Sequence, residues 1–237
     1  MSKKEARARS SGPPAPVVAV GDDDPGGSWG EALDELGAAV FDGEPGRHRL
    51  APLWARWDDE AAPLRDEDPD YSRWQMIRTD WALCDARAHD ATGPGDTWAR
   101  RAAAGRLPGW TPRDVDVVLA TSFCGLFEVW AGKVPWLRDC VGGVCVALAD
   151  PVRLEPVGGK GPAALWEARV VIEQGRAQLC RPPLSYPLEI LETVRERSLR
   201  RFAPGGRPLS MATLRRARLR WRRAERADAR VMFQIID

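Results

Sequence analysis

This chain of 237 residues contains few residues suited to nucleophilic catalysis or metal binding. A serine or cysteine nucleophile needs a histidine base beside it. The chain has two histidines, His48 and His89, and we place both in loop or helix-end contexts. The five cysteines contain no CxxC pair, so a zinc motif is missing. The sequence therefore predicts no catalytic residue, no metal site and no cofactor.

Two cysteines on either side of a Gly-Gly turn suggest thiol chemistry of another kind. Gly142-Gly143 is a two-residue hairpin signal, and in such a hairpin Cys140 faces Cys145. Directly opposed strand residues have Cα atoms about 4.5–5.5 Å apart, which is within reach of a disulfide. Cys140 and Cys145 are therefore a candidate redox pair. The alternative is a pair of reduced, packed thiols, as expected in the cytosol.

The distribution of charge is the strongest functional signal. Residues 22–70 hold 15 acidic and 4 basic side chains, whereas residues 195–230 hold 13 arginines and 3 acidic side chains. The net charge of +1 conceals this polarity. A basic helix can neutralise phosphates, bind an acidic protein surface, or pair with the protein's own acidic half. The candidate partner-binding residues are the arginines of the last long helix: Arg215, Arg216, Arg218, Arg220, Arg222, Arg223 and Arg226.

The same helix has a thin apolar side. We expect that side to face the protein, and it consists of Leu214, Ala217, Trp221 and Ala224. We expect the arginines to face solvent, the acidic half or a partner. Exposed ion pairs each contribute only about 0–1 kcal/mol. Reversing Arg215, Arg218 and Arg222 to glutamate is therefore predicted to leave the fold intact.

These observations favour a non-enzymatic binding or adaptor protein that acts through an acidic protein surface. The alternative is a nucleic-acid-binding protein that uses the arginine-rich helix, and a third hypothesis is an enzyme of unfamiliar type. The residues to consider for an enzyme lie on predicted strands, where the ordinary interpretation is that they face solvent: Glu128, Asp139, Glu167 and Arg169. No segment approaches the ~18 apolar residues of a membrane span, so we expect a cytoplasmic protein without a membrane partner.

The elements that would position these residues divide the chain into four segments. Residues 1–27 mix Pro, Gly, Ser and charge without periodicity, which predicts a disordered tail. Residues 28–121 carry helical periodicity, which begins with a capping signal at Ser28. Residues 122–186 contain short apolar runs between Gly- and Pro-containing turns, and residues 187–237 return to helix before an apolar, strand-like end. The predicted fold class is α+β.

The helical region contains a clear stripe and a broken segment. Trp74, Ile77 and Trp81 line one face of a helix predicted over about 69–87, and we expect the two tryptophans to be core anchors. Residues 43–70 are Pro-broken, with only a short helical piece around 53–57.

The apolar runs predict the strands of a small antiparallel barrel or bent sheet. The predicted strands are Phe123–Trp130, Val134–Cys140, Val144–Leu148, Val152–Val157, Ala164–Glu173 and Arg176–Cys180.

Three of these runs resemble a strand pattern found in uncharacterised bacterial proteins with a small β-barrel. The matching segments are Phe123 to Val129, Leu137 to Asp139 before the Gly-Gly turn, and Leu165 to Val171. Some of those proteins carry a zinc-binding SEC-C tail, whose cysteine and histidine cluster is absent from this sequence. The resemblance implies the barrel fold and no particular activity.

Overall fold

The computed structural model describes residues 27–88, 93, 95–149, 161–200, 202, 209–224 and 227–234. Over these residues the fold is α+β, as the sequence predicts, and along the chain helices precede and follow a closed five-stranded barrel that carries a sixth strand. The tail predicted over residues 1–27 lies outside this range, apart from Gly27. Among the described residues, no helix combines the length and hydropathy that a bilayer span requires.

The N-terminal half is helical, as predicted. The helices are α1 Gly27–Phe41, α2 Gly43–Glu60, α3 Tyr71–Cys84, α4 Trp98–Ala103 and α5 Asp114–Leu119. Leu33, Leu36 and Val40 of α1 are fully buried, and so is Trp74 of α3, while Trp81 is 8% exposed. The predicted core role of the two tryptophans is therefore confirmed.

Helix α2 corrects the prediction of a broken segment, because it continues through Pro52. A proline inside a helix removes one backbone hydrogen bond and costs about 3 kcal/mol. Leu53 and Trp57, which follow it, are 5% and 1% exposed, so each is almost completely buried. Burying two large apolar side chains offsets a cost of this size.

The barrel is a closed ring of five strands with one parallel pair. Its strands are β1 Phe123–Trp130, β2 Trp136–Asp139, β3 Cys145–Leu148, β4 Ala164–Glu173 and β5 Arg176–Leu179. They follow the order β1-β2-β3-β5-β4, and β4 pairs with β1 to complete the ring. The β3–β5 pair is parallel and the others are antiparallel. A sixth strand that the sequence did not predict, β6 Leu184–Tyr186, pairs with β4, and the predicted strand Val152–Val157 lies outside the described residues.

The strands of the barrel have an apolar inner side and two distinct outer faces. Alternate residues fill the interior, among them Phe127, Leu137, Trp166 and Val170. The outer side of β1 and β4 lies under the helices, and we call it the covered face. It holds Cys124, Leu126, Leu165, Glu167 and Arg169, together with apolar neighbours from the helical core. The outer side of β1, β2 and β3 near the β1–β2 hairpin is the open face, and it holds Trp130, Trp136 and Arg138.

The C-terminal segment returns to helix. A short 3-10 turn, Leu188–Ile190, leads into α6 Leu191–Arg200, and α7 Met211–Arg223 and α8 Ala229–Gln234 follow. Ser210 caps α7 as predicted, because its Oγ accepts a hydrogen bond from the Thr213 N–H at 3.1 Å. The strand-like end predicted over residues 231–236 is wrong in its described part, since residues 231–234 belong to α8. Phe233 is fully buried there, with its ring 6.0 Å from that of Tyr186.

Candidate functional site

A buried polar network lies between the covered face and the helices. Its centre is Glu167 of β4, which is 2% exposed. The Arg215 Nε donates to Glu167 Oε1 at 2.6 Å, and the Tyr186 hydroxyl donates to Glu167 Oε2 at 2.8 Å. The thiol of Cys124 lies 3.8 Å from Glu167 Oε1 and 3.3 Å from Arg215 Nη2. Strands β1, β4 and β6 and helix α7 each contribute one of these residues.

A second arginine extends the network along β4. Arg169 is 6% exposed, its Nη1 donates to Ser122 Oγ at 3.1 Å, and its Nη2 forms an ion pair with Asp85 just beyond α3. Its Nε is buried and has no partner among the described residues. On α3, the buried Asp80 accepts from Arg181 Nε at 2.8 Å. The network is therefore a series of arginine–carboxylate pairs that joins the barrel to the helical layer.

A cleft of about 240 Å³ opens beside this network. Helix α2, the end of α3, strand β1 and the first turn of α7 form its walls. The lining residues are Trp57, Glu60, Ala61, Trp81, Asp85, Cys124, Ser210, Met211, Ala212 and Arg215. We call this space the Trp57 cleft. Ligand pockets for drug-sized molecules measure about 300–1,000 Å³. This cleft is smaller, so it has room for one side chain or a small molecule.

The walls of the Trp57 cleft are aromatic and cationic at the same time. The rings of Trp57 and Trp81 meet edge to face with centroids 5.4 Å apart. The guanidinium of Arg215 lies 4.6 Å from the centre of the Trp57 ring, which is a cation–π distance. The Trp57 Nε1 is buried without a partner in the described part of the chain. Arg215 therefore offers a hydrogen-bond donor beside an aromatic wall.

Burial and charge set the protonation states of the network. Burial raises the pKa of the Cys124 thiol to about 12, so the thiol is neutral and a poor nucleophile at pH 7. Burial, followed by the charge of Glu167, raises the pKa of Tyr186 well above its ordinary value. Burial alone would lower the pKa of Arg215, but the nearby carboxylate of Glu167 raises it above its ordinary value. Arg215 is therefore a permanent cation that faces a carboxylate.

The arginines of α7 divide into an inner and an outer set. Arg215 and Arg218 are 2% and 4% exposed, which corrects the expectation that the helix presents them at its surface. Arg218 pairs with Asp70 at 3.1 Å and donates to the Ser185 carbonyl at 3.0 Å. The reason is that each guanidinium finds a carboxylate and an aromatic ring inside the fold, so burial leaves no unpaired charge.

Two further arginines of α7 reach the acidic N-terminal half. Arg223 pairs with Asp68 at 2.6 Å, and Arg216 donates to the Asp59 carbonyl. Arg220 and Arg222 are exposed and have no ion pair with any described residue. The seventh predicted residue, Arg226, lies outside the described residues. Much of the polarity seen in the sequence is thus satisfied within the chain.

The predicted redox pair rests on a hairpin register that is wrong. Cys145 lies opposite Arg138 rather than Cys140, and the Asp139 N–H donates to the Val144 carbonyl to close a longer loop. The carboxylate of Asp139 accepts the N–H groups of Val141 and Gly142, and these bonds hold the loop open. Both cysteines are free thiols.

The strand residues considered for an enzyme are buried rather than solvent-facing. Glu128 is 1% exposed and accepts both Arg195 Nε and Arg195 Nη2 at 2.8 Å. Asp139 is 7% exposed and is engaged in the β2–β3 loop. Glu167 and Arg169 belong to the network described above. Among the described residues, no group of three or more His, Cys, Asp or Glu side chains could hold a metal ion.

The Trp57 cleft is a site that the sequence did not predict as such. Its members come from α2, α3, β1 and α7, and no spacing along the chain connects them. One signal was present in β4, whose sequence ALWEARVVIE places Glu167 and Arg169 among apolar residues on both sides of the strand. A strand that is apolar on both sides is covered on both faces, so its charged residues need partners from other elements.

No family model, curated protein or solved structure matches the chain. The resemblance to uncharacterised small-barrel proteins therefore remains a prediction.

Proposed function

We propose that this is a non-enzymatic binding or adaptor protein that receives an acidic side chain of a protein partner in the Trp57 cleft. One observation carries the proposal. Arg215 uses its Nε on Glu167 and its Nη2 on Cys124, while its Nη1 has no acceptor among the described residues. Arg215 also lines the cleft. A carboxylate entering there would complete a charge-assisted pair, which is among the stronger hydrogen bonds in proteins.

The start of α7 supports the same ligand chemistry. Ser210, Met211 and Ala212 line the cleft, and the first N–H groups of a helix have no acceptor within the helix. These N–H groups and the helix dipole favour a negative group at this end. The aromatic rings of Trp57 and Trp81 would contact the apolar part of the same side chain.

Two carboxylates, those of Glu60 and Asp85, also line the cleft and would repel an acidic ligand if their charges were unbalanced. Asp85 pairs with Arg169, and Glu60 pairs with Arg56 at 2.7 Å, so both charges are balanced within the chain. Glu60 is exposed enough for its charge to act at the entrance, with 38% of its side chain accessible. Replacing it should therefore strengthen the binding of an acidic ligand.

The two other hypotheses have less support. Binding of nucleic acid through α7 would use its exposed arginines, but Arg215, Arg216, Arg218 and Arg223 bind groups within the chain. An enzyme would need an activated group in the cleft. The thiol there is held neutral by the raised pKa of Cys124.

Selection from a displayed random-peptide library tests the proposal. The full chain is the bait, and Ala212→Trp is the blocked variant, because residue 212 lines the cleft and a large ring there fills it. Ala55→Trp is the matched control, since Ala55 is exposed on α2 and does not line the cleft. We expect peptides enriched in Asp and Glu that bind the wild type and the control but not Ala212→Trp.

The charge of the rim provides an independent measurement. A selected acidic peptide should bind Glu60→Gln more tightly than the wild type, whereas Glu44→Gln, on the same helix outside the cleft, should leave the affinity unchanged. Enrichment of basic peptides, or equal binding to Ala212→Trp, would overturn the proposal.

A further inference from the structure

The open face of the barrel carries a stacked pair of tryptophans. Trp130 ends β1 and Trp136 begins β2, and the two residues are directly opposite each other in the antiparallel register. Their rings are nearly parallel, with an interplanar angle of 12° and centroids 5.4 Å apart. Both side chains are only half-buried. Large aromatic rings at a surface provide flat faces on which another ring can stack.

The exposed charges of strands β1 to β3 and their loops have one sign. Between residues 123 and 148, every position of which is described, the exposed ionisable side chains other than Cys145 are Lys133 and Arg138. Neither forms an ion pair or a hydrogen bond with another described residue. The two carboxylates of this segment are buried and engaged. Glu128, which lies opposite Arg138 in the register, pairs with Arg195 and accepts the Trp130 Nε1–H at 3.2 Å, and Asp139 accepts loop N–H groups. The exposed charge of the open face is therefore cationic.

The β1–β2 register places the two tryptophan rings and Arg138 on the same outer side of the barrel. Arg138 is two residues beyond Trp136 on β2, so both side chains lie on the outer side, about 7 Å apart along the strand. Lys133 is exposed in the hairpin loop between the two tryptophans in sequence. Across the ring of strands, Ala147 of β3 lies opposite Trp136 and beside Arg176 of β5. Arg176 is exposed, and it faces Glu173 in the β4–β5 register.

We infer that the open face binds single-stranded nucleic acid, with a base stacked on the Trp130–Trp136 pair and phosphates held by Lys133 and Arg138. Single strands are recognised by this combination of aromatic platforms and a cationic path. Duplexes hide the faces of their bases, which leaves the tryptophans without a partner. The inference goes beyond the proposed function and shares no residue with the Trp57 cleft.

Fluorescence anisotropy of the full chain with a short labelled oligothymidylate tests this inference. We expect binding that weakens with salt, with a slope of about −0.7 per phosphate contact on a single strand. Lys133→Glu with Arg138→Glu should weaken the affinity at least about tenfold, because two attractive contacts become repulsive. Trp136→Leu should weaken it at least about fivefold, in line with the loss of one stacked base.

The matched control reverses the same number of charges on α7, in Arg220→Glu with Arg222→Glu. These two arginines are exposed and unpaired with described residues, so the control changes the net charge equally. We expect the control and Ala212→Trp to bind oligothymidylate as the wild type does. Circular dichroism identifies a variant that fails to fold. Lys133 and Arg138 are exposed, so their replacement should leave the fold intact, and that variant tests the inference even if Trp136→Leu unfolds.

Three results would overturn the inference. They are the absence of binding to oligothymidylate, equal loss of affinity in the α7 control, and full competition by heparin with no effect of Trp136→Leu. The last result would show attraction by charge alone. Loss of peptide binding to the Trp57 cleft, with oligothymidylate binding intact, would contradict only the proposed function.

Discussion

The arginines of α7 occupy two environments, although they are neighbours in sequence. Arg215 and Arg218 lie inside, each with a carboxylate and an aromatic ring, whereas Arg220 and Arg222 lie at the surface without an ion pair to a described residue. Successive residues of a helix are about 100° apart, so the same residue type is directed to both sides. A basic helix is therefore not by itself a basic surface. Part of its charge serves the interior.

The largest effect is expected from breaking the innermost pair. Arg215→Met removes the cation that faces Glu167, whose side chain is 1% exposed. Removing one partner of a buried ion pair costs about 3–5 kcal/mol, because the other charge stays buried without compensation. We expect a loss of this size in the free energy of unfolding, measured by urea denaturation.

The double variant Glu167→Gln with Arg215→Met separates pairing from packing. It removes both charges, so it should recover a large part of the stability lost in Arg215→Met. If Arg215→Met alone lost less than about 1 kcal/mol, Arg215 would belong with the outer arginines.

A smaller loss is expected at the other inner arginine. Arg218→Met should lower the free energy of unfolding by about 1.5–3 kcal/mol, the usual contribution of hydrogen bonds to charged groups. The loss is smaller because the side chain of its partner Asp70 is 33% exposed and can be hydrated after the change. Urea denaturation of both variants under one condition gives the order. A greater loss for Arg218→Met than for Arg215→Met would contradict the assignment of Glu167 as the centre of the network.

The pair at the end of α7 should reveal itself through pH. The hydrogen bonds from Arg223 lower the pKa of Asp68 below its ordinary value. The folded-state pKa is then below the unfolded-state pKa, so the stabilisation is complete above about pH 4 and is lost as the pH falls through the folded-state value. Thermal unfolding between about pH 5 and pH 3 should show a steeper decrease for the wild type than for Asp68→Asn. Parallel curves would show that Arg223 does not hold the carboxylate.

The smallest effect is expected at the surface. Arg220→Gln and Arg222→Gln should each change the free energy of unfolding by no more than about 0.5 kcal/mol, as is usual for exposed positions. The guanidinium of Arg222 lies 5.7 Å from the centre of the Trp221 ring, close to the upper limit for a cation–π contact. If either change destabilised the protein as much as Arg218→Met, the outer arginines would have partners in the interior.

Most of the fold follows from local patterns in the sequence. The strands Phe123–Trp130 and Ala164–Glu173 have the predicted bounds, and Ser210 caps α7 as predicted. These features depend on short apolar runs between turns and on capping, which involve residues close together in the chain. The prediction failed at α2, where burial of Leu53 and Trp57 overrides a helix-breaking proline. Tertiary packing can exceed a local preference of a few kcal/mol.

The candidate sites depended on information that no local pattern holds. The hairpin at Gly142-Gly143 was assigned the wrong register, because the Asp139 carboxylate binds loop amides and lengthens the turn. The open face became visible only through the β1–β2 register, which sets Trp130 opposite Trp136. A register depends on turn geometry as well as on the hydrophobic pattern.

Composition and local patterns are enough to predict the α+β class, the strands of the barrel and the opposition of an acidic and a basic segment. Where that charge goes depends on the tertiary structure. Arg215 and Glu167 are 48 residues apart, and Arg218 and Asp70 are 148 residues apart, so no helical or strand period relates them. A guanidinium is stable inside a protein when a carboxylate is within hydrogen-bond distance. That condition is set by the packing of α7 against the barrel and α3, and not by the composition of the helix.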